Sequence, residues 1–195
     1  MEESTAQGKL YICGTPIGNL EDITLRSLNV LRYVDLIAAE DTRRTRKLLN
    51  YYNIDKPLTS YHEFNKDKKS QYILNCLKSG QYIALVSDAG MPGICDPGYE
   101  IINLVIQNKF QVIPIPGVSV LTAALAISGL EINRFAFEGF APKKKSEREK
   151  LFNDLKYEKR TIIFFDSPHR IRDTLKIIKN KLGDRKIVVN RELTK

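Results

Sequence analysis

Long apolar runs are missing from this chain. Of its 195 residues 43% are hydrophobic, yet no stretch reaches the ~18 residues that a membrane-spanning helix needs, so no membrane partner is expected. The opening Met1–Gly8 is polar and acidic. It lacks the apolar core of a secretory leader and reads as a flexible N-terminus over residues 1–8. Cysteine is scarce: Cys13, Cys76 and Cys95 stand singly. Their odd number and the absence of any C-x-x-C argue against a disulfide framework or a zinc site and fit a reducing cytoplasm. Only two histidines are present, His62 and His169, and no His/Glu/His set has ligand spacing, so no metal is expected. There is no G-x-G-x-x-G after the first apolar run and no G-x-x-x-x-G-K-[ST], which argues against the common dinucleotide and nucleoside-triphosphate loops. The G-x-S-x-G elbow of many hydrolases is absent too.

What is present is organised around residues 84–98, ALVSDAGMPGICDPG. A short apolar run, read as a buried strand, breaks into a loop with three glycines and two prolines. Glycine lets a ligand approach the backbone closely and proline stiffens the loop. In an open α/β sheet, ligands bind beyond the carboxyl ends of the strands. Ser87, Asp88 and Asp96 share this loop.

Strand and helix signals alternate along the whole chain, which predicts α/β architecture with mostly parallel sheets. Strands are expected over Lys9–Cys13, Asp35–Ala39, Leu58–Tyr61, a run into Val86, Val112–Ile115, Arg134–Phe137, Thr161–Phe165 and Lys186–Asn190. Helices are expected between them. Asp22 or Thr24 can cap the first, and another begins at Thr42. The best domain boundary is Pro114-Ile115-Pro116-Gly117, dividing an N-terminal domain (9–116) from a C-terminal one (117–195). Charge changes there as well. Residues 1–116 hold 13 Lys and Arg against 13 Asp and Glu, while residues 117–195 hold 18 against 10, so all of the net +8 lies in the second part. A basic face of this kind suits a polyanion such as nucleic acid, although charge also serves plain solubility.

Three loops, 14–19, 40–44 and 87–98, fall at strand ends that a parallel sheet brings to one edge. A fourth loop, Pro116–Ser119, joins the two halves of the chain there. Glu40 and Asp41 can take a proton, and Arg43 and Arg44 can hold phosphate. The same residues also read as an ordinary capped helix start, acidic first and basic after. His169 and Arg170 follow a strand-to-helix turn suited to an anion. Lys143, Lys144 and Lys145, near Phe140, can contact an RNA backbone or simply face solvent.

Taken together, GTPIGNLEDIT (14–24), AAEDTRRTRKLL (38–49), SYHEFN (60–65), LVSDAGMPGICDPG (85–98), PIPGVSVLTAALAISGL (114–130), FEGFAPKK (137–144), FFDSPHRI (164–171) and RELTK (191–195) resemble the ribosomal small-subunit RNA 2′-O-methyltransferase I family, on the tetrapyrrole methylase fold. The resemblance implies two α/β domains with a ligand cleft between them. It implies S-adenosylmethionine as methyl donor, a cytidine ribose in the decoding region of 16S ribosomal RNA as substrate on the assembled small subunit, and a homodimer. It places the donor against Pro16, Ser87, Asp88, Ala89, Gly90, Ile94, Ser119, Val120 and Asp166. The catalytic candidates are Glu40, Asp41 and His169, with Arg43, Arg44, Lys143–Lys145 and Arg170 on RNA. Most members of the family carry Glu where Asp166 stands, and they usually run on past RELTK, so the second domain reads as incomplete. Two other readings stay open: a small-molecule methylase of the same fold, and a non-catalytic ribosome-binding assembly factor.

Overall fold

The computed structural model describes residues 7–195. Its described residues form two compact units, one running to Val120 and taking in Glu192–Lys195, the other spanning Leu121–Arg191.

The first unit is built on five parallel strands, β1 (Lys9–Cys13), β2 (Leu36–Ala39), β3 (Leu58–Ser60), β4 (Tyr82–Val86) and β5 (Gln111–Ile115), in spatial order β3-β2-β4-β1-β5. Four helices connect them: α1 (Leu25–Tyr33), α2 (Thr42–Tyr51), α3 (Lys66–Lys78) and α4 (Tyr99–Gln107). The alternation of side chains along a strand explains why the strand sequences read as unbroken apolar runs: both faces are covered. Leu10, Ile12, Ala38, Ile83 and Leu85 point to one face, where Ile73 and Leu77 of α3 and Ile101 and Val105 of α4 close over them. Cys13, Ile37, Ala39, Ala84 and Val86 point to the other, under Leu28 and Leu31 of α1 and Leu49 of α2. Burial pushes the Cys13 thiol up to about 12, so this cysteine is a packed, inert group. Thr24, not Asp22, caps α1, its hydroxyl accepting from Ser27 N–H at 3.0 Å. Leu20–Asp22 forms a short 3₁₀ turn.

Of the stretch expected to be flexible, residues 1–6 lie outside the described residues. Gly8 is buried: a β-carbon there would lie 2.4 Å from Leu77 O.

α5 (Val120–Ala126), in the second unit from Leu121 on, leads to β6 (Phe135–Phe140), α6 (Lys145–Asp154), β7 (Thr161–Phe165) and α7 (Ile171–Leu182). β6 and β7 pair in parallel. Phe152 of α6 and Ile177 and Ile178 of α7 form its small core with Phe164. Lys186–Asn190, expected as a strand, makes no ladder among the described residues, and Ile187, Val188 and Val189 are exposed. An apolar run becomes a strand only where a neighbouring strand takes its backbone hydrogen bonds.

Candidate functional site

The sheet order decides where a ligand site can form in the first unit. The chain leaves β1 toward β2 and β4 toward β5, in opposite directions, although β1 and β4 are neighbours. Their connecting helices therefore lie on opposite faces, and the two loops part at the carboxyl edge between them. This is the topological switch point of an open α/β sheet. The loops are stitched together there. Thr15 N–H donates to Gly90 O at 2.9 Å and Gly90 N–H returns to Thr15 O at 3.0 Å. The buried Thr15 hydroxyl donates to Ser87 O at 3.1 Å. Gly90 sits at φ +77, a left-handed conformation that glycine adopts without strain. The β5 loop closes on the same point. Gly14 and Gly117 touch through their backbones, so a β-carbon on Gly117 would lie 2.8 Å from Gly14 Cα. The loops after β1, β4 and β5 thus form one block.

The β2 loop is tied to this block by reciprocal bonds. Asp88 N–H donates to Glu40 Oε2 at 3.2 Å, and Asp41 N–H donates to Asp88 Oδ1 at 3.0 Å. Arg44 pairs with Asp88 Oδ2 at 3.1 Å. Asp41 caps α2: its Oδ1 accepts Arg43 N–H at 2.9 Å, and both carboxylate oxygens accept the Arg43 guanidinium. Those bonds from Arg43 hold the Asp41 carboxyl well below the usual carboxylate range. A carboxylate held so firmly ionised is a poor proton acceptor.

Asp96 is the opposite case. Burial, and secondarily the nearby Glu40 and Asp88 charges, push it up to about 6, against a smaller stabilising effect of the Ser87 hydroxyl. It is thus the carboxylate of this loop cluster poised to exchange a proton near neutral pH. Sequence reasoning placed Asp96 in the loop and gave it no role, because the environment that shifts it comes from β2 and β4 together.

The remaining candidates divide by unit. Pro16, Ser87 and Gly90 are buried in the stitched block, Asp88 and Ser119 are partly buried, and Ala89, Ile94 and Val120 are exposed around it. In the second unit Asp166, its side chain 2% exposed, is ion-paired with Arg170, whose NH2 group also donates to Ala141 O at 2.6 Å. Two residues assigned separate tasks in sequence therefore hold each other. Burial works against the Asp166 carboxylate. The Thr174 hydroxyl, Arg170 and the Ser167 N–H outweigh it and lower its pKa. His169 is exposed, in the turn before α7.

Lys143, Lys144 and Lys145 are exposed, Lys144 pairing with Glu147 and Lys145 with Glu149. Their loop is anchored from below by Arg148, 5% exposed, whose NH1 group donates to Pro142 O and Lys143 O at 2.9 and 2.7 Å. Arg148 was invisible in sequence, where it reads as one more charge on a solvated helix. Among the described residues no helix is long and apolar enough to cross a membrane, and no group of three or more His, Cys, Asp or Glu is placed to hold a metal.

Comparison with known proteins narrows what such a site serves. The profile of the tetrapyrrole (corrin/porphyrin) methylases matches residues 9–195. A cobalt precorrin-4 methyltransferase of cobalamin biosynthesis shares the fold at a TM-score of 0.67 with 22% identity, over 89% of this chain and 74% of that one. Curated relatives lie nearer in sequence. The ribosomal RNA small subunit methyltransferase I of Halalkalibacterium halodurans is 49% identical over 97% of this chain, which spans 65% of that protein's length. The protein of the same name from Thermotoga maritima is 53% identical over 96% of this chain and 84% of its own. With a switch-point site, a parallel α/β sheet and relatives this close, the chain belongs to the ribosomal RNA small subunit methyltransferase I family of the tetrapyrrole-type methylases.

Proposed function

We propose that the chain carries out S-adenosylmethionine-dependent 2′-O-methylation of a cytidine ribose in the decoding region of 16S ribosomal RNA. The substrate is the assembled small subunit, and the enzyme works as a cytoplasmic homodimer. The observation that carries this reading is the block of stitched loops at the β1/β4 switch point, with Asp96, a carboxyl that burial pushes up to about 6, among them. The substrate class comes from the named relatives.

The residues present fit the donor. Ala89, Ile94 and Val120 stand exposed around the stitched loops, an apolar margin suited to the donor's adenosine part. Asp88, Glu40 and Asp96 supply negative charge suited to a cationic sulfonium. Pro16, Ser87–Gly90, Ile94, Ser119 and Val120 would hold it. When bound, the donor supplies an electrophilic methyl group.

The protein's own work is to position a ribose hydroxyl and accept its proton. A hydroxyl is a weak nucleophile, and a positioned base contributes typically 10²–10⁴-fold. Asp96 is the proposed acceptor. Glu40 and Asp41 hold the loops rather than the proton: Glu40 accepts Asp88 N–H, and Asp41 is committed to its cap and to Arg43. Arg43, Arg44 and the Lys143–Lys145 loop face RNA phosphate.

The test is transfer of labelled methyl to small subunits lacking the modification, with the product mapped to a nucleotide. Label on a decoding-region cytidine ribose is expected. Label on a precorrin-type substrate instead would refute the reading in favour of a small-molecule methylase. Subunit binding with no donor binding would refute it in favour of an assembly factor.

A further inference from the structure

Phe64 is 96% exposed, the highest value among the described large apolar side chains. A bare phenyl ring contributes nothing to a core, and this one is held up by a well-bonded loop. Asn65 N–H donates to His62 O, and His62 N–H donates to Asn65 Oδ1, both at 2.9 Å. Asn65 Nδ2 reaches back to Ser60 Oγ at 3.0 Å. Lys66 grips Glu63 within the loop and Glu100 on α4. The His62 ring meets the Phe64 ring edge-on, with centroids 6.2 Å apart.

The loop also stands at a particular place. Ser60 is the register partner of Ala39, and Tyr61 N–H donates to Ala39 O at 2.7 Å. The Phe64 loop and the start of α2 therefore leave neighbouring strand ends, about 4.8 Å apart. The first turns of α2 present Arg43 (87% exposed), Arg44 (69%) and the exposed Lys47 on adjoining helix positions. Arg43 spends two of its five N–H donors on the Asp41 side chain, and the others suit a phosphate oxygen.

We propose that Phe64 is a stacking platform for one unpaired base of an RNA strand whose phosphates run along Arg43, Arg44 and Lys47. An aromatic face beside a row of cations is how proteins take up single-stranded nucleic acid: the ring accepts any base, and the cations track the backbone. A duplex keeps its bases stacked inside and offers nothing to the ring. The proposal rests on the RNA-methylating function above. It deepens that function by assigning a substrate feature, an extruded base beside the target, to the β3 loop.

The test uses fluorescence anisotropy with a decoding-region RNA of about a dozen nucleotides, as a single strand and as a duplex. Phe64→Ala is expected to weaken single-strand binding roughly 5- to 100-fold, the range for losing one stacked base. Duplex binding and donor binding stay unchanged, and Phe64→Trp restores affinity. Arg43→Ala and Arg44→Ala each flatten the slope of log affinity against log salt by about 0.7, while Phe64→Ala leaves it alone. The platform is overturned if Phe64→Ala binds the single strand within about twofold of wild type, or loses duplex binding equally. It is also overturned if that variant turns a dimer into a monomer at unchanged RNA affinity, which makes the ring a contact between copies. Failure of the wild-type protein to bind either RNA overturns the platform, while methyl transfer to small subunits tests the functional reading separately.

Discussion

Replacing Asp96 by Asn separates function from stability at one atom. In the unfolded chain this carboxyl titrates near 3.8; in the folded protein burial and the Glu40 and Asp88 charges move it to about 6. Between those values the folded state binds more protons than the unfolded one, so stability falls as pH rises through this window. At 1.36 kcal/mol per unit, the shift corresponds to about 3 kcal/mol at neutral pH. Solvent reaches part of the group, which reduces the figure to about 1–2 kcal/mol. Asp96→Asn keeps the shape and removes the charge. It is therefore expected to be more stable than wild type by about 1–2 kcal/mol at pH 7.5, and no more stable at pH 4, where the wild-type carboxyl is largely protonated. Urea unfolding of both proteins at several pH values measures this directly. Methyl transfer by the variant should fall by two to four orders of magnitude, as expected for loss of a general base, and wild-type activity should rise with pH through about 6. A variant less stable than wild type by the same amount at pH 4 and pH 7.5 would refute the reasoning. It would mean that Asp96 is held by favourable partners and not strained by burial.

Three further changes test the construction of the site. Gly117→Ala drives a β-carbon to 2.8 Å from Gly14 Cα; since backbone cannot swing aside, a cost of about 1–3 kcal/mol and weakened donor binding are expected in thermal melts and calorimetry. Asp88→Ala removes the acceptor for Asp41 N–H and the partner of Arg44, so donor affinity should drop in a folded protein, and unchanged calorimetry would count against it. Arg148→Met leaves Pro142 O and Lys143 O without their donor; a loss of about 1.5–3 kcal/mol and faster amide exchange through the lysine loop are expected, and a loop that exchanges at the wild-type rate would show the anchor to be dispensable.

Much of this protein was legible in one dimension. Apolar runs bounded by turn residues mark β1, β2 and β7 within a residue, and the end of β4 at Val86, because a strand covered on both faces must be apolar throughout. The Asp41 cap and the parallel, alternating architecture followed from local rules that need no partner. The motifs also carried the family, since the loop sequences of a switch-point site are unusual in combination.

Other features existed only once the chain was folded. The order β3-β2-β4-β1-β5 decides that Thr15 meets Gly90 and that Glu40 meets Asp88, residues dozens of positions apart. That same convergence raises Asp96 while Arg43 lowers Asp41, although both are aspartates in polar loops. Arg148 and Lys150 look alike as letters, yet one is buried against two carbonyls and the other is exposed. Lys186–Asn190 has a strand's composition but no ladder among the described residues. Composition and periodicity report what each residue prefers by itself. Hydrogen-bond partners, electrostatic environment and strand pairing belong to pairs of residues, and only the tertiary structure chooses the pairs.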